Sequence, residues 1–169
     1  MKRAKAGSID PSGDGADVLA IGWATRADYG DLADVMFDAV RHGPSPYSEA
    51  QRAQWVPHRR AGTEWEARLD RQSIVLARNA KGVVGFMSVD ATGYIDFAYI
   101  RPEAQGTGLF RKLFAQIEQR SGFGQDKRLW VHASLMAQPA FSAMGFQIVE
   151  RQVVEIGGES LERFEMERR

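Results

Sequence analysis

The run Ile100-Arg101-Pro102-Glu103-Ala104-Gln105-Gly106-Thr107-Gly108-Leu109-Phe110-Arg111-Lys112 is the part of the chain whose residue types and order point to chemistry. An extended apolar segment stops at a proline, a glycine-rich turn follows, and a helical pattern begins at once. A helix that starts directly after a tight turn leaves its first N–H groups without intrahelical acceptors and aims them, with the positive end of its dipole, at one spot. That arrangement is a cradle for phosphate. Gly106 and Gly108 let the backbone approach an anion closely, and Arg111 and Lys112 add positive charge beside it. Two familiar phosphate motifs are absent. The dinucleotide fingerprint needs glycine where Arg111 stands, and the P-loop needs a Gly-Lys-Ser/Thr triplet that the chain does not contain.

The elements that must position this turn follow from patterning. Residues 1–18 read as a tail, because Gly, Ser, Asp, Pro and Lys dominate them and they bury too little apolar surface to offset their ordering. Residues 19–169 read as a single domain, within the size that one core supports. A short strand is expected at 19–24. Thr25 with Asp28 then opens a helix on which Leu32, Val35, Met36, Ala39 and Val40 share a face, ending near Gly43. Pro44 and Pro46 force a loop, Ser48 and Gln51 form a capping-box pair for a second helix carrying Trp55, and Pro57 stops it. Strands are expected at 73–77 and 83–89, joined as a hairpin by Asn79-Ala80-Lys81-Gly82, and a third at 94–100. A helix over about 106–121 carries Leu109, Phe110, Leu113, Phe114 and Ile117 on one side, followed by a strand at 129–133. A short helix at 138–144 is closed by Gly145, and a last hairpin turns at Gly157-Gly158. The order implies a mixed α/β (α+β) sandwich.

Composition narrows the function classes. The 169 residues hold 22 Lys+Arg against 22 Asp+Glu, so the chain lacks the basic excess of a nucleic-acid or membrane-surface binder. No cysteine is present, which removes disulfides, thiolate nucleophiles and sulfur-ligated metals. His42, His58 and His132 are too far apart for a helical two-histidine metal pair, so no metal site is expected. No apolar run approaches a membrane span, and the basic N-terminus has no apolar stretch of a secretory signal behind it. A cytoplasmic protein is expected.

Strand, Gln105-Gly106-Thr107-Gly108, amphipathic helix, strand, then Ser134 to Phe146 resembles the GCN5-related N-acetyltransferase (GNAT) family. Gln105-Gly106-Thr107-Gly108 matches the first four positions of its Gln/Arg-x-x-Gly-x-Gly/Ala motif, Met144-Gly145-Phe146 its glycine–phenylalanine landmark, and Val84-Gly85-Phe86 its third strand. Ala24-Thr25-Arg26-Ala27-Asp28 and the Tyr47-Ser48-Glu49 to Trp55 segment look like a small bacterial branch. The resemblance spans about residues 21–166. It implies a central, mostly antiparallel sheet of about seven strands flanked by about four helices, with acetyl-CoA as acyl donor. It places pantetheine along Ala98, Tyr99 and Ile100, near Ser134 and Phe141. Pyrophosphate falls on Gln105, Gly106, Thr107, Gly108, Leu109, Phe110 and Arg111. Two positions depart from the family pattern. Phe110 replaces a small residue, which the site accommodates if the ring turns into the core with Phe114. Phe141 stands where many members carry a tyrosine that protonates the leaving thiolate.

Acyl transfer needs a neutral amine, and an amine with a pKa near 10 is protonated at pH 7 at a cost of about 4 kcal/mol. A general base removes that proton. On a strand over 94–100, Tyr94, Asp96, Ala98 and Ile100 share one face, and Ile95, Phe97 and Tyr99 the other. Asp96 is therefore the expected base and Tyr94, at the position of a glutamate in histone-acetylating members, a proton relay. Ser134 is a candidate donor to the thiolate, and His132 reads as a satisfied imidazole among apolar neighbours. His42, Tyr47 and Trp55 are the expected substrate contacts, the two aromatics flanking an amine by cation–π attraction. The expected acceptor is a small-molecule primary amine, attacked directly, since no cysteine is present to form an acyl-enzyme. A non-catalytic acyl-CoA-binding or regulatory protein on the same fold is the competing reading, and exposed edge strands in the last hairpin suggest a homodimer.

Overall fold

The computed structural model describes residues 18–120 and 127–169. The expected tail, save for Val18, and the expected helix end at Ser121 lie outside the described residues.

The first strand, β1 (Ala20–Trp23), leads through a short 3-10 turn to α1 (Tyr29–Arg41). The Thr25 N–H donates to the Asp28 carboxylate at 2.8 Å, so the anticipated pair does start the helical segment. In α2 (Glu49–Trp55) the capping box is reciprocal, with Gln51 N–H donating to Ser48 Oγ at 3.1 Å and Ser48 N–H to Gln51 Oε1 at 2.8 Å. A helix that patterning did not assign, α3 (Gly62–Asp70), follows. Its N-cap is Ala61, which offers no side-chain acceptor, and it buries only Trp65 and Leu69, too little to show as a stripe. The hairpin of β2 (Gln72–Asn79) and β3 (Gly82–Asp90) comes next. Then come β4 (Tyr94–Ile95), β5 (Ala98–Ile100), α4 (Leu109–Arg120), β6 (Leu129–Ser134), α5 (Gln138–Ala143) and the closing hairpin of β7 (Gln147–Ile156) and β8 (Glu159–Arg168).

The strands form two four-stranded sheets, β1-β2-β3-β5 and β4-β6-β8-β7, in place of one sheet of about seven, and there are five α-helices among the described residues where about four were expected. All pairings are antiparallel except β4 with β6. The sheets meet where the strand expected over 94–100 breaks at Asp96 and Phe97. β4 continues beside β6, whereas β5 turns to pair with β3. Ser88 secures the break: its N–H donates to the Phe97 carbonyl at 2.9 Å, and its fully buried hydroxyl accepts from the Phe97 N–H at 3.0 Å.

The break also overturns the expected alternation. Ile95 lies in the core packed under α4, and Ala98 and Ile100 pack against that same core, while Phe97 and Tyr99 belong to the core under α1 and α3. A continuous strand would have put residues 95, 97 and 99 on one face. The non-strand step between β4 and β5 slips the pattern by one residue. Two cores result, one on each side of the strands: Leu109, Leu113, Phe114 and Ile117 of α4 fill the first, and Leu32, Val35, Met36 and Val40 of α1 with Trp65 and Leu69 of α3 the second. Gly85 of β3 permits the closest approach of α4, since a Cβ there would lie 3.2 Å from both Leu109 and Ile100.

Ser88→Ala leaves the Phe97 N–H without its acceptor in a dry site. We expect a loss of about 1–3 kcal/mol in unfolding free energy by denaturant titration. An unchanged midpoint would mean that the break is held by packing alone.

Candidate active site

Because β5 follows β3 and β6 follows β4, the chain opens a wedge between the outer edge of β5 and the end of β6. A cavity of about 380 Å³ fills this wedge. Ala98, Tyr99 and Ile100 of β5 form one wall, Ser134, Met136, Ala137 and Ala140 the other, and Gln105, Gly106, Gly108, Leu109 and Phe110 the floor. Gly106 (φ 73°) and Gly108 (φ 83°) both take the left-handed backbone that the turn into α4 requires, and the space where a Cβ would stand is open at each. The first helical bond of α4 runs from Lys112 N–H to the Gly108 carbonyl at 3.3 Å, so the N–H groups ahead of it point out of the helix end. Gln105 fastens the turn to β5 by donating to the Ile100 carbonyl at 3.0 Å, and Thr107 donates back to Ala104 at 2.6 Å.

A second cavity, of about 160 Å³, lies across β4 and the β6–β8 face. It is polar, with Arg68, Tyr94, Asp96, His132, Glu162 and Arg163 on its walls. Tyr47, Trp55, Tyr99 and Ser134 line both cavities, so the two open toward the same residues. In β6, Trp130, His132 and Ser134 alternate with the buried Leu129, Val131 and Ala133. That alternation turns His132 to the cavity, although its sequence neighbours are apolar.

The side chains at this junction are hydrogen-bonded to definite partners. The Tyr47 hydroxyl donates to the Glu162 carbonyl and accepts from the Leu135 N–H at 3.0 Å, and burial pushes its ionisation up. Tyr47 thereby ties the loop before α2 to both β6 and β8, and its ring stands edge-on to Trp55 at 5.8 Å. Ser134 Oγ accepts from the Ala137 N–H at 3.1 Å, which leaves its own O–H free to donate. Tyr94 Oη lies 3.0 Å from His132 Nδ1. Burial raises the Tyr94 pKa, with the Asp96 charge adding to it, while burial and then Arg163 lower that of His132.

The expected site residues divide into those the fold gathers and those it does not. Tyr47, Trp55, Tyr94, Asp96, Ala98, Tyr99, Ile100, Gln105, Gly106, Gly108, Leu109, Phe110 and Ser134 all line one or both cavities. Phe110 is half-buried with its ring edge-on to Phe141 at 5.0 Å, so it turns inward onto Phe141, and Phe114 pairs instead with Phe146. Phe141 is buried behind Phe110 and touches neither cavity. Thr107 and Arg111 are exposed at the mouth of the turn without lining the wedge. His42 lines neither cavity; its Nδ1 meets Asp38 at 2.9 Å near the end of α1. Asp96 accepts a bidentate pair of hydrogen bonds from Arg68, at 2.8 and 2.7 Å, and a third from Gln72 at 2.8 Å. Sequence reasoning did not single out Arg60, Arg68 or Arg163, and no local motif marks them.

A family model described as an acetyltransferase (GNAT) domain matches residues 44–166. YafP of Escherichia coli, described as an uncharacterized N-acetyltransferase, is 29% identical over 140 residues, covering 82% of this chain and 88% of its own. A GCN5-related N-acetyltransferase from Rhodopseudomonas palustris is 26% identical in its crystal structure, with a TM-score of 0.80 over 88% of this chain and 94% of that one. The fold also matches that of yncA, a putative acetyltransferase of Salmonella typhimurium crystallised with its cofactor acetyl-CoA, at 18% identity and a TM-score of 0.61 over 89% and 93% of the two chains.

Tyr47→Phe removes the hydroxyl that serves both Leu135 and Glu162. Thermal and denaturant unfolding should show a loss of about 1–3 kcal/mol. Wild-type stability would mean that water replaces the hydroxyl in both contacts.

Proposed function

The chain belongs to the acetyltransferase (GNAT) family and is an acyltransferase, and we propose that it moves an acetyl group from acetyl-CoA to the primary amine of a small molecule by direct attack. The observation that carries this reading is the junction: an apolar wedge ending in a glycine turn and a polar cavity share Tyr47, Trp55, Tyr99 and Ser134. A donor arm and an acceptor thus have separate approaches to one point.

The wedge suits an acyl-CoA. Its glycine floor has no Cβ to block a pyrophosphate, its N–H groups supply donors, and the free edge of β5 offers backbone partners to the amide-bearing pantetheine arm. Bound there, the thioester supplies an acyl carbon activated toward nitrogen. Phe110 packs onto Phe141 and leaves the turn open, so the bulky residue at this motif position is compatible with the cofactor.

On the acceptor side the amine must lose a proton as its nitrogen bonds to the acyl carbon and the carbon–sulfur bond breaks. In our reading Tyr94 and His132 take that proton, because burial and Arg163 keep the imidazole neutral and able to accept. Asp96 has a different part: with its oxygens engaged by Arg68 and Gln72, it orients Arg68 at the cavity wall. Ser134 donates its free O–H toward the departing sulfur, the task for which Phe141 has no group. A cytoplasmic setting accords with an intracellular thioester donor. The exposed apolar side chains Ile148, Val149 and Val153 of β7, at the end of its sheet, are the surface on which a homodimer would form.

Calorimetric titration with acetyl-CoA should give micromolar binding, weakened at least tenfold by Gly108→Glu, which puts a carboxylate into the open space of the cradle. Absence of heat at two temperatures would overturn the acetyl-CoA assignment. His132→Gln should lower kcat about a hundredfold. In the wild type the neutral imidazole is the competent form and its pKa is lowered, so activity should be full at neutral pH and fall only as pH drops through a value below the ordinary histidine value of about 6.5. A profile and rate unchanged in the variant would remove His132 from the proton path.

A further inference from the structure

The charges around the acceptor cavity are not balanced within it. Arg60, Arg68 and Arg163 stand on its walls with two carboxylate residues, Asp96 and Glu162. Asp96 is matched by Arg68 in the bidentate pair, at 2.7 Å for the closer ion contact. The Glu162 carboxylate is engaged from outside by Arg151, at 2.5 Å. Glu165, which acts on His132 from β8, is likewise engaged by Arg128 at 3.2 Å. Arg60 and Arg163 therefore have no ion-pair partner among the described residues. Arg60 donates from one terminal nitrogen to the Trp55 carbonyl at 3.3 Å, and its Nε is buried with no partner. Arg163 donates only through Nε, to Gln152 at 2.9 Å, so the two terminal nitrogens of its fork have no protein acceptor among the described residues.

A guanidinium beside a cavity, short of acceptors and of a counter-charge, is matched by a ligand oxyanion in the fork geometry that arginine presents. We propose that the acceptor is an amine that also carries an anionic group, a carboxylate or phosphoryl oxygen, held by Arg163 and Arg60 while the amine nitrogen lies toward Tyr94 and Ser134. This rests on the acetyltransferase reading of the same site and names its substrate class. The placement has a chemical reason. A cavity with two unmatched positive charges repels an ammonium ion, favouring the neutral amine that must attack, and it retains such a substrate only if another part of the molecule is negative. A simple alkylamine or polyamine meets repulsion without that compensation.

The test uses matched acceptors that differ in the anion alone: an α-amino acid, its methyl ester, the decarboxylated amine and the corresponding aminophosphonate. Turnover is read as free CoA thiol, and the chain adds no background because it contains no cysteine. We expect the carboxylate or phosphonate member to exceed the ester and the decarboxylated amine at least tenfold in kcat/KM. The two anionic members show which oxyanion is preferred. Arg163→Gln and Arg60→Gln should raise KM for the anionic acceptor at least tenfold and collapse its advantage over the ester, with acetyl-CoA binding retained as the check that each variant is folded. Equal turnover of the charged and neutral members, turnover of none, or variants that keep the full discrimination would overturn the proposal. Failure to bind acetyl-CoA at all is a separate result and would overturn the acetyl-CoA assignment itself.

Discussion

The architecture depends on a strand that does not continue. At Asp96 and Phe97 the chain leaves one sheet and enters the other, and the two hydrogen bonds between Ser88 and Phe97 fix where that happens. Were β4 and β5 one straight strand, β5 and β6 would close on each other through their backbones, and the wedge would be filled by a sheet ladder. The break turns a row of backbone donors and acceptors into the wall of a cavity instead. Open strand edges are ordinarily a hazard, because they pair with whatever extended chain is near. Here the open edge faces the cavity, with α5 and the glycine turn beside it.

Everything on the far side of the wedge is arranged from the same break. β6 runs parallel to β4, with Tyr94 opposite Trp130, and this register brings His132, two residues on and on the same face, within hydrogen-bond reach of the Tyr94 hydroxyl. Ser134 is the next residue on that face and stands where β6 ends, between the two cavities. Tyr47 then ties the loop before α2 to the end of β6 and to β8. The junction is therefore built from a strand register and one tyrosine hydroxyl.

The parts legible in the sequence were those written in local signals. The Ser48–Gln51 box, the Asn79 to Gly82 turn, the Gly157-Gly158 hairpin and the turn from Gln105 into α4 each depend on residues a few positions apart, and each forms. The wedge residues followed from the family pattern around that last turn. The rest depends on contacts distant in sequence. The break at Asp96 has no proline or glycine to announce it, since the residue that stabilises it is Ser88 on the neighbouring strand. His132 looked like core because its neighbours are apolar, although strand alternation alone turns it outward with Trp130 and Ser134. The arginines of the acceptor cavity come from the end of the α2 loop, from α3 and from β8, and only the fold collects them.

The case of Asp96 shows how one unrecognised element changes a chemical reading. By residue type and strand position it is a natural base. Helix α3, which has little amphipathic signature and no polar N-cap, brings Arg68 against it and the guanidinium also stacks over the Phe97 ring, 4.5 Å from its centre. Two hydrogen bonds from one guanidinium and a third from Gln72 occupy both oxygens of Asp96, and these contacts dock α3 beside the strand break. The imidazole of His132 has neither constraint: burial and Arg163 outweigh the charge of Glu165, and the Tyr94 hydroxyl 3.0 Å from its Nδ1 orients the ring. In the proposed reading proton transfer therefore passes to His132, whose ring nitrogen faces the cavity beside Tyr94, while Asp96 holds Arg68.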